Sequence, residues 1–520
     1  MTEQSRTLPE TVRRGAALSI ANAVLIRLAG MFITAIVAHI LDPRDFGAYA
    51  VALTAYAIVT AIGQAGVASC LARADLDIDS LAPTMVTVSL AGCAVLAGVM
   101  VAFARTIAAA LGSTYATGPV RVTALAVLLS GAFAVPGAQL VRDFRQDKLL
   151  LANVISFVPA NAALLILARS GSGAMAFAWS RVIGELIVGS VFIASAPKTY
   201  LPGLAREALS VVFRLAVPFG AANCVNYILL NVDNALVGRL LGAAKLGTYV
   251  LAFNVTSWPY TLLGAMISTV AMPAFSRVKH DANLLRTAVI NSLRDLSVVV
   301  LPICGVLMAV ARSLILTLYG TQWTASAEVV VVLSVYSAFS MVCALFASIL
   351  GSLGRTKLLL AIQLIWLGTL APAMALGVWW KGIVGAAFAH IAVIAPIVLP
   401  CYLLAMRKTT GVGSAALARA VFPALLASSG AALAVRATAS QFSNSLAQLV
   451  AGLSVGVLVY AVTVAPHAIT LLHRGRAISL RLRRVMRLYR MAARLIGLPS
   501  SNPPRHAASR HHGYAAESGG

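Results

Sequence analysis

AIVAHILDPRDFGAYAVA (residues 35–52) and ALVGRLLGAAKLGTYVLA (residues 235–252) align without a gap at an offset of 200 residues. Ala35/Ala235, Val37/Val237, Leu41/Leu241, Gly47/Gly247, Tyr49/Tyr249 and Ala52/Ala252 are identical, and Phe46/Leu246 is conservative. A second match joins Gly171-x4-Ala176-Phe177-Ala178 to Gly382-x4-Ala387-Phe388-Ala389 at an offset of 211. Two matches in the same order at nearly the same offset make an internal repeat, and a repeat decides architecture before any local feature does.

The repeat lies in an unusually apolar chain. Of 520 residues, 60% are apolar and only 11% charged, with a mean hydropathy of +0.89. Soluble domains carry about a quarter charged residues, so several water-soluble globules are excluded, as are disordered, collagen-like and disulfide-rich classes. A spanning helix needs about 20 mostly apolar residues. Such runs fall at 16–41, 47–70, 82–104, 120–140, 150–168, 174–196, 213–239, 247–273, 297–318, 327–351, 359–379, 383–406, 420–436 and 447–470. The sequence therefore predicts an all-α polytopic membrane protein of about fourteen transmembrane helices.

Six spans separate the matched points. An even number leaves both copies facing the same way, which is a parallel repeat about an axis along the membrane normal. The expected organisation is a cytoplasmic N-terminus (1–15), an N-lobe of spans 1–6 (16–196), a C-lobe of spans 7–12 (197–406) and two extra C-terminal helices (407–470). A basic amphipathic helix (471–497) and a disordered tail (498–520) complete it. Transporters with two such lobes hold substrate between them and alternate access by rocking one against the other.

The net charge of +24 would suit a nucleic-acid binder, but its placement does not. Arg13, Arg14, Arg142, Arg145, Lys148, Arg277, Lys279, Arg286, Arg355, Lys357, Arg407 and Lys408 all fall on one side of the alternating spans. Their sparse counterparts on the other side are Arg44, Arg105, Arg169, Lys245, Lys381 and Arg436. Cytoplasmic connectors carry the excess of Lys and Arg, so both termini are expected in the cytoplasm. Trp323, Trp379 and Trp380 are then expected at the outer interface. The first fifteen residues, MTEQSRTLPETVRRG, are polar and read as no cleavable signal peptide. The six cysteines are scattered singly in apolar segments, with neither metal spacing nor a disulfide framework. No cofactor and no metal is expected.

AHILDPRDFGAYA after the first span, NVDNALVGRLLGAAKLGTYVLAFN with VAMPAFSRV across spans 7 and 8, LYGTQWTASAEVVVVLS before span 10 and GSLGRTK before span 11 carry a family resemblance. They resemble the O-antigen and exopolysaccharide (Wzx-like) flippases of the multidrug/oligosaccharidyl-lipid/polysaccharide exporter superfamily. The resemblance covers roughly residues 10–410. His39 departs from it, since such proteins often carry Arg there, and no role for that Arg is carried over. The resemblance implies a non-enzymatic flippase in the bacterial cytoplasmic (inner) membrane. It would move undecaprenyl-pyrophosphate-linked oligosaccharide units outward for lipopolysaccharide or exopolysaccharide biosynthesis.

Ionisable residues inside spans are where chemistry is sought, because each costs about 2.5–3.5 kcal/mol at a helix centre. Arg27 lies near the middle of the first span, Arg181 and Glu185 in the sixth, and Asp233 in the outer half of the seventh. Guanidinium groups match phosphate oxygens through bidentate, charge-assisted hydrogen bonds. Arg27, helped by Arg181, is the candidate grip on a lipid pyrophosphate; the rival reading has Arg27 fixing helix packing. Arg181 and Glu185, four apart, share a helix face and read either as a self-neutralising pair or as a site where arriving pyrophosphate frees Glu185 for a proton. Asp233 reads either as a hydrogen-bonded fixture or as a second coupling-ion candidate. Asn226, Tyr227, Asn231 and Asn234 form a polar stripe on span 7.

In LHRGRAISLRLRRVMRLYRMAARLIG (472–497), Arg476, Arg483, Arg487, Arg490 and Arg494 face away from Ile478, Leu482 and Val485. An interfacial helix against anionic lipid is expected, with docking of a glycosyltransferase or of a polymerisation regulator as the alternative. Glycan polymerase and glycosyltransferases are candidate partners and nucleic acid is not, since no folded binding module surrounds the helix. Two rival functions stay open. A drug/cation antiporter of the same superfamily would favour acidic cavity residues. A polytopic glycan polymerase would need a long outer loop bearing its reactive groups.

Overall fold

A computed structural model describes residues 26, 29–63, 78–143, 145–259, 275 and 281–474, with side chains at 206–208, 211–226 and 462–474 not described. The chain divides at Tyr460 into a first unit, Met1–Tyr460, and a second, Ala461–Gly520. Among the described residues the second unit continues the last helix to Arg474. The expected basic helix at 471–497, beyond Arg474, and the tail at 498–520 lie outside the described residues.

The described secondary structure is helical, as apolar surroundings demand of a backbone that must satisfy its own N–H and C=O groups. In chain order the helices are α1 (Ala29–Ile40), α2 (Pro43–Gly63), α3 (Ile78–Ala102), α4 (Ala104–Ala110), α5 (Thr117–Arg142), α6 (Gln146–Arg169) and α7 (Ala174–Ser195). There follow α8 (Arg206–Thr256), α9 (Ala282–Leu318), α10 (Thr324–Ser352), α11 (Thr356–Val393), α12 (Leu399–Thr410), α13 (Ser414–Ala439) and α14 (Ser445–Arg474). Among the described residues, ten helical runs are long and apolar enough to cross a membrane.

Two of those runs are bent by non-helical residues. α8 turns at Gly242 (φ 79°, ψ 174°), and α11 turns at Lys381 and Gly382 (φ 58°). Both breaks fall where the sequence separates two spans, at 240–246 and 380–382. A five-residue π segment (Ile394–Val398) joins α11 to α12, and Gly411 closes α12 in the left-handed conformation. The Asp281 carboxylate caps α9 by accepting from the backbone N–H of Asn283 (2.9 Å) and Leu284 (3.0 Å).

Helices α2, α3, α5, α6 and α7 pack on one another, as do α8, α10 and α11, and α2 meets α8 between these two sets. We refer to α1–α7 and α8–α12 as the two lobes. α13 packs on α9, where Gly305 lets the Ser428 carbonyl approach. The turns after α1, α4, α6 and α9 and the breaks in α8 and α11 all lie at one end. Asp45 accepts from the Tyr115 hydroxyl (2.9 Å) and the Ala174 N–H (3.0 Å). Gly112 touches the Gly238 carbonyl, Gly320 faces His39, and Gly382 faces Leu241. At the opposite end the connector between lobes is tied to α3: the Thr87 hydroxyl donates to Gly203 O (2.7 Å), and the Lys198 ammonium pairs with Asp79 (2.9 Å).

Trp323 corrects one expectation. It is fully buried, packs edge-on to Phe46 at 4.8 Å and donates to Ala38 O (3.0 Å), so it is a core residue and no lipid-facing anchor. Trp379 (85% exposed) and Trp380 (67%) do face outward.

Candidate functional site

Two polar clusters sit within the helices, one in each lobe. In the first, α2 and α7 are locked by aromatic side chains. Phe177 stacks on Tyr49 at 4.7 Å and meets Phe46 edge-on at 4.9 Å. One turn beyond Phe177, Arg181 reaches back to α2. One Nη donates to the Tyr56 hydroxyl (2.8 Å) and pairs with Glu185 Oε2 (3.2 Å), while the guanidinium lies 4.7 Å from the Tyr56 ring centre. The side chain of Arg181 is 40% exposed and that of Glu185 20%, yet the Arg181 Nε is buried without a partner. The guanidinium is therefore only partly satisfied within its own lobe and keeps donor capacity for an anion.

The second cluster is buried. The bend at Gly242 folds α8 on itself, so that Asp233 and Tyr249, sixteen residues apart, meet at 3.2 Å. Asp233 also accepts from the Asn234 N–H (2.8 Å). From α11, His390 Nε2 lies 3.0 Å from the Tyr249 hydroxyl and 3.9 Å from Asp233. With the phenolic hydrogen given to Asp233, the Tyr249 oxygen accepts from Nε2–H, which leaves His390 Nδ1 unprotonated, buried and unpartnered. Tyr336 stands at 4.5 Å from the imidazole.

Of the residues singled out from sequence, Arg181 and Glu185 come together, and Asp233 is hydrogen-bonded in the other lobe. Arg27 lies outside the described residues. Sequence reasoning missed Tyr56, Tyr249 as a site residue, and His390. The signal for His390 was present: it is an ionisable residue inside the expected span 383–406 and directly follows Ala387-Phe388-Ala389 of the repeat. Nothing local announces the two tyrosines, whose partners come from other turns of the fold. The Asn231 amide on the polar stripe donates to the Tyr227 carbonyl of its own helix (2.9 Å). Among the described residues no three His, Cys, Asp or Glu side chains gather as a metal site.

An apolar cavity of about 430 Å³ opens between α9, α10, α12 and α13, walled by Leu301, Met308, Phe339, Val342, Leu403 and Val421. Ser334, Ser414, Ser428 and Ser429 are the polar residues of its lining.

The fold is similar to that of the solved lipid II flippase MurJ in an inward closed conformation, with a TM-score of 0.74 over 88% of this chain and 100% of that one, at 15% identity. It is also similar to an inward-facing multidrug resistance MATE family transporter (TM-score 0.58, 13% identity, 74% of this chain and 99% of that one). In sequence it is 26% identical over 444 residues to the succinoglycan biosynthesis transport protein ExoT of Rhizobium meliloti, covering 82% of this chain and 87% of that protein. The lipopolysaccharide biosynthesis protein WzxC of Escherichia coli is 24% identical over 387 residues, 73% of this chain and 77% of its own. The family described as "Polysaccharide biosynthesis protein" matches residues 36–328, more than half of the chain, and to that family the chain belongs.

Proposed function

We propose that the chain is a flippase that carries undecaprenyl-pyrophosphate-linked oligosaccharide units across the bacterial cytoplasmic membrane for cell-surface polysaccharide biosynthesis. The observation that carries this reading is the likeness over most of the chain to proteins named for the transport or assembly of succinoglycan and lipopolysaccharide, on a two-lobed membrane fold. The partly unsatisfied guanidinium of Arg181 supports it, because a lipid diphosphate needs cationic donors within a low-dielectric layer. The apolar cavity beside α13 suits hydrocarbon and has no use for a sugar.

In this reading Arg27 and Arg181 hold the pyrophosphate, while Glu185 and Asp233 are candidates for coupling an ion to the cycle. The chain crosses fourteen times, with both termini and the basic segment 471–497 in the cytoplasm, the latter against anionic lipid and within reach of glycosyltransferases and polymerase. A drug/cation antiporter would leave surface glycan intact when the gene is lost. Deletion in the native host is expected to trap lipid-linked glycan facing the cytoplasm, and Arg27→Ala, inserted normally, is expected not to release it. Normal translocation in the deletion strain would overturn the reading; translocated but unpolymerised units would point to a polymerase.

A further inference from the structure

At the end where the turns gather, α4 of the first lobe lies against α8 of the second. A Cβ on Gly112 would collide with the Gly238 carbonyl, and one on Gly238 with the Leu111 carbonyl, so the chain just after α4 touches α8 backbone to backbone. Beside that contact an open recess of about 670 Å³ is walled by Arg105, Thr106, Ala109 and Ala110 of α4 and by Arg239 of α8. Each lobe thus supplies one arginine to the recess, and both arginines are exposed.

The charges around this recess have one sign. From Val99 to Ser113 and from Asn234 to Gly247 the charged residues are Arg105, Arg239 and Lys245. Among the described residues neither arginine is paired with a carboxylate. Two like charges lining one recess repel, and these stand at the end where the Lys/Arg bias leaves positive charge scarce. An anion between them replaces the repulsion by attraction and accepts charge-assisted hydrogen bonds from both guanidinium groups. The flanking residues say what carries the anion. Val99, Val101 and Phe103 before Arg105, and Leu240 after Arg239, are large apolar side chains left exposed. In a membrane-spanning chain such side chains meet acyl chains, which puts the two guanidinium groups at headgroup depth, where arginines snorkel. Apolar flanks serve no purpose for a soluble anion and suit a phosphate that is borne on a lipid.

We propose that Arg105 and Arg239 together hold the phosphate of an anionic phospholipid headgroup, with its acyl chains lying along Val99, Val101, Phe103 and Leu240. Thr106 adds a hydroxyl to the same wall. One bound lipid then bridges a helix of each lobe and cancels the repulsion between their arginines. The site is independent of the flippase reading, because resident lipid and not transported substrate occupies it.

The test reads lipid at the recess itself. In the full chain, with its six native cysteines replaced by serine, Leu240→Cys carries a fluorophore beside the recess. In nanodiscs of phosphatidylcholine, its quenching is measured with phosphatidylglycerol or phosphatidylcholine bearing a nitroxide near the headgroup. Phosphatidylglycerol is expected to be preferred about tenfold or more, and Arg105→Gln with Arg239→Gln to bring the two lipids close to parity. Arg436→Gln, exposed near the end of α13, is expected to keep the preference. Equal quenching by both lipids in the parent, or a preference unchanged in the double variant, would overturn the proposal. An equal loss in Arg436→Gln would overturn it too, as a general effect of surface charge. Should the double variant not fold, each single Gln variant is expected to lose part of the preference, and no loss in either overturns the site. Competition separates the sources of phosphate: a preference that survives inorganic phosphate and a small fraction of a polyprenyl diphosphate supports resident phospholipid. Abolition by either competitor would overturn that assignment.

Discussion

The hydroxyl of Tyr249 serves two groups that have no access to water. It donates to Asp233 and accepts from His390, whose residues are 4% and 3% exposed. Tyr56 makes a similar bond to Arg181, but there the guanidinium keeps Glu185 and some solvent. An unsatisfied buried donor or acceptor costs about 1–3 kcal/mol, more if charged, whereas a half-exposed one finds water. Tyr249→Phe is therefore expected to lower the melting temperature of the purified protein clearly, and Tyr56→Phe much less. Equal or reversed losses would show that the buried cluster is not a fixture of the fold. The same contrast explains what the sequence revealed of the sites. Arg181 and Glu185 were legible because four residues make one helical turn, so their pairing follows from a single helix. Tyr56, Tyr249 and His390 owe their roles to partners on other helices or beyond a bend, which no local pattern encodes.

At the scale of the element, two glycines with positive φ do different work. Gly242 sits at φ 79°, ψ 174°, a region open essentially to glycine alone, with nothing nearer to a Cβ than an oxygen at 4.0 Å. Gly411 sits at φ 67°, ψ 9°, the left-handed helix cap that Asn also tolerates. Asn at 411 is thus expected to leave the melting temperature nearly unchanged, while Asn at 242 costs about 1–3 kcal/mol through strain and not through crowding. A tolerant Gly242→Asn would mean that the bend in α8 is not needed to bring Asp233 to Tyr249. The sequence reading placed a break between the spans at 213–239 and 247–273, where Gly242 and Lys245 interrupt the apolar run. It could not show that the non-helical backbone of the break narrows to a single residue, Gly242. Trp323 was misplaced for a related reason: hydropathy locates an indole near an interface but says nothing of whether it faces lipid or a neighbouring helix.

For the molecule as a whole, the decisive question is which side of the membrane holds the gathered turns. The chain places Arg145, Lys148, Arg355, Lys357, Arg407 and Lys408 in connectors at one end, and the seam of Gly47 and Gly247 at the other. Positive charge is retained in the cytoplasm, so the seam is expected to face outward. Single cysteines, introduced after the six native ones are replaced by serine, test this directly. Ser170→Cys, exposed in the turn before α7, is expected to react with an impermeant maleimide in spheroplasts, whereas Ala415→Cys, exposed at the start of α13, should react only after permeabilisation. The reverse pattern would invert the topology, and with it the direction of the cycle. The end at which Gly47 and Gly247 meet the opposite lobe would then face the cytoplasm, and the positive charge of the connectors would need a different explanation from orientation.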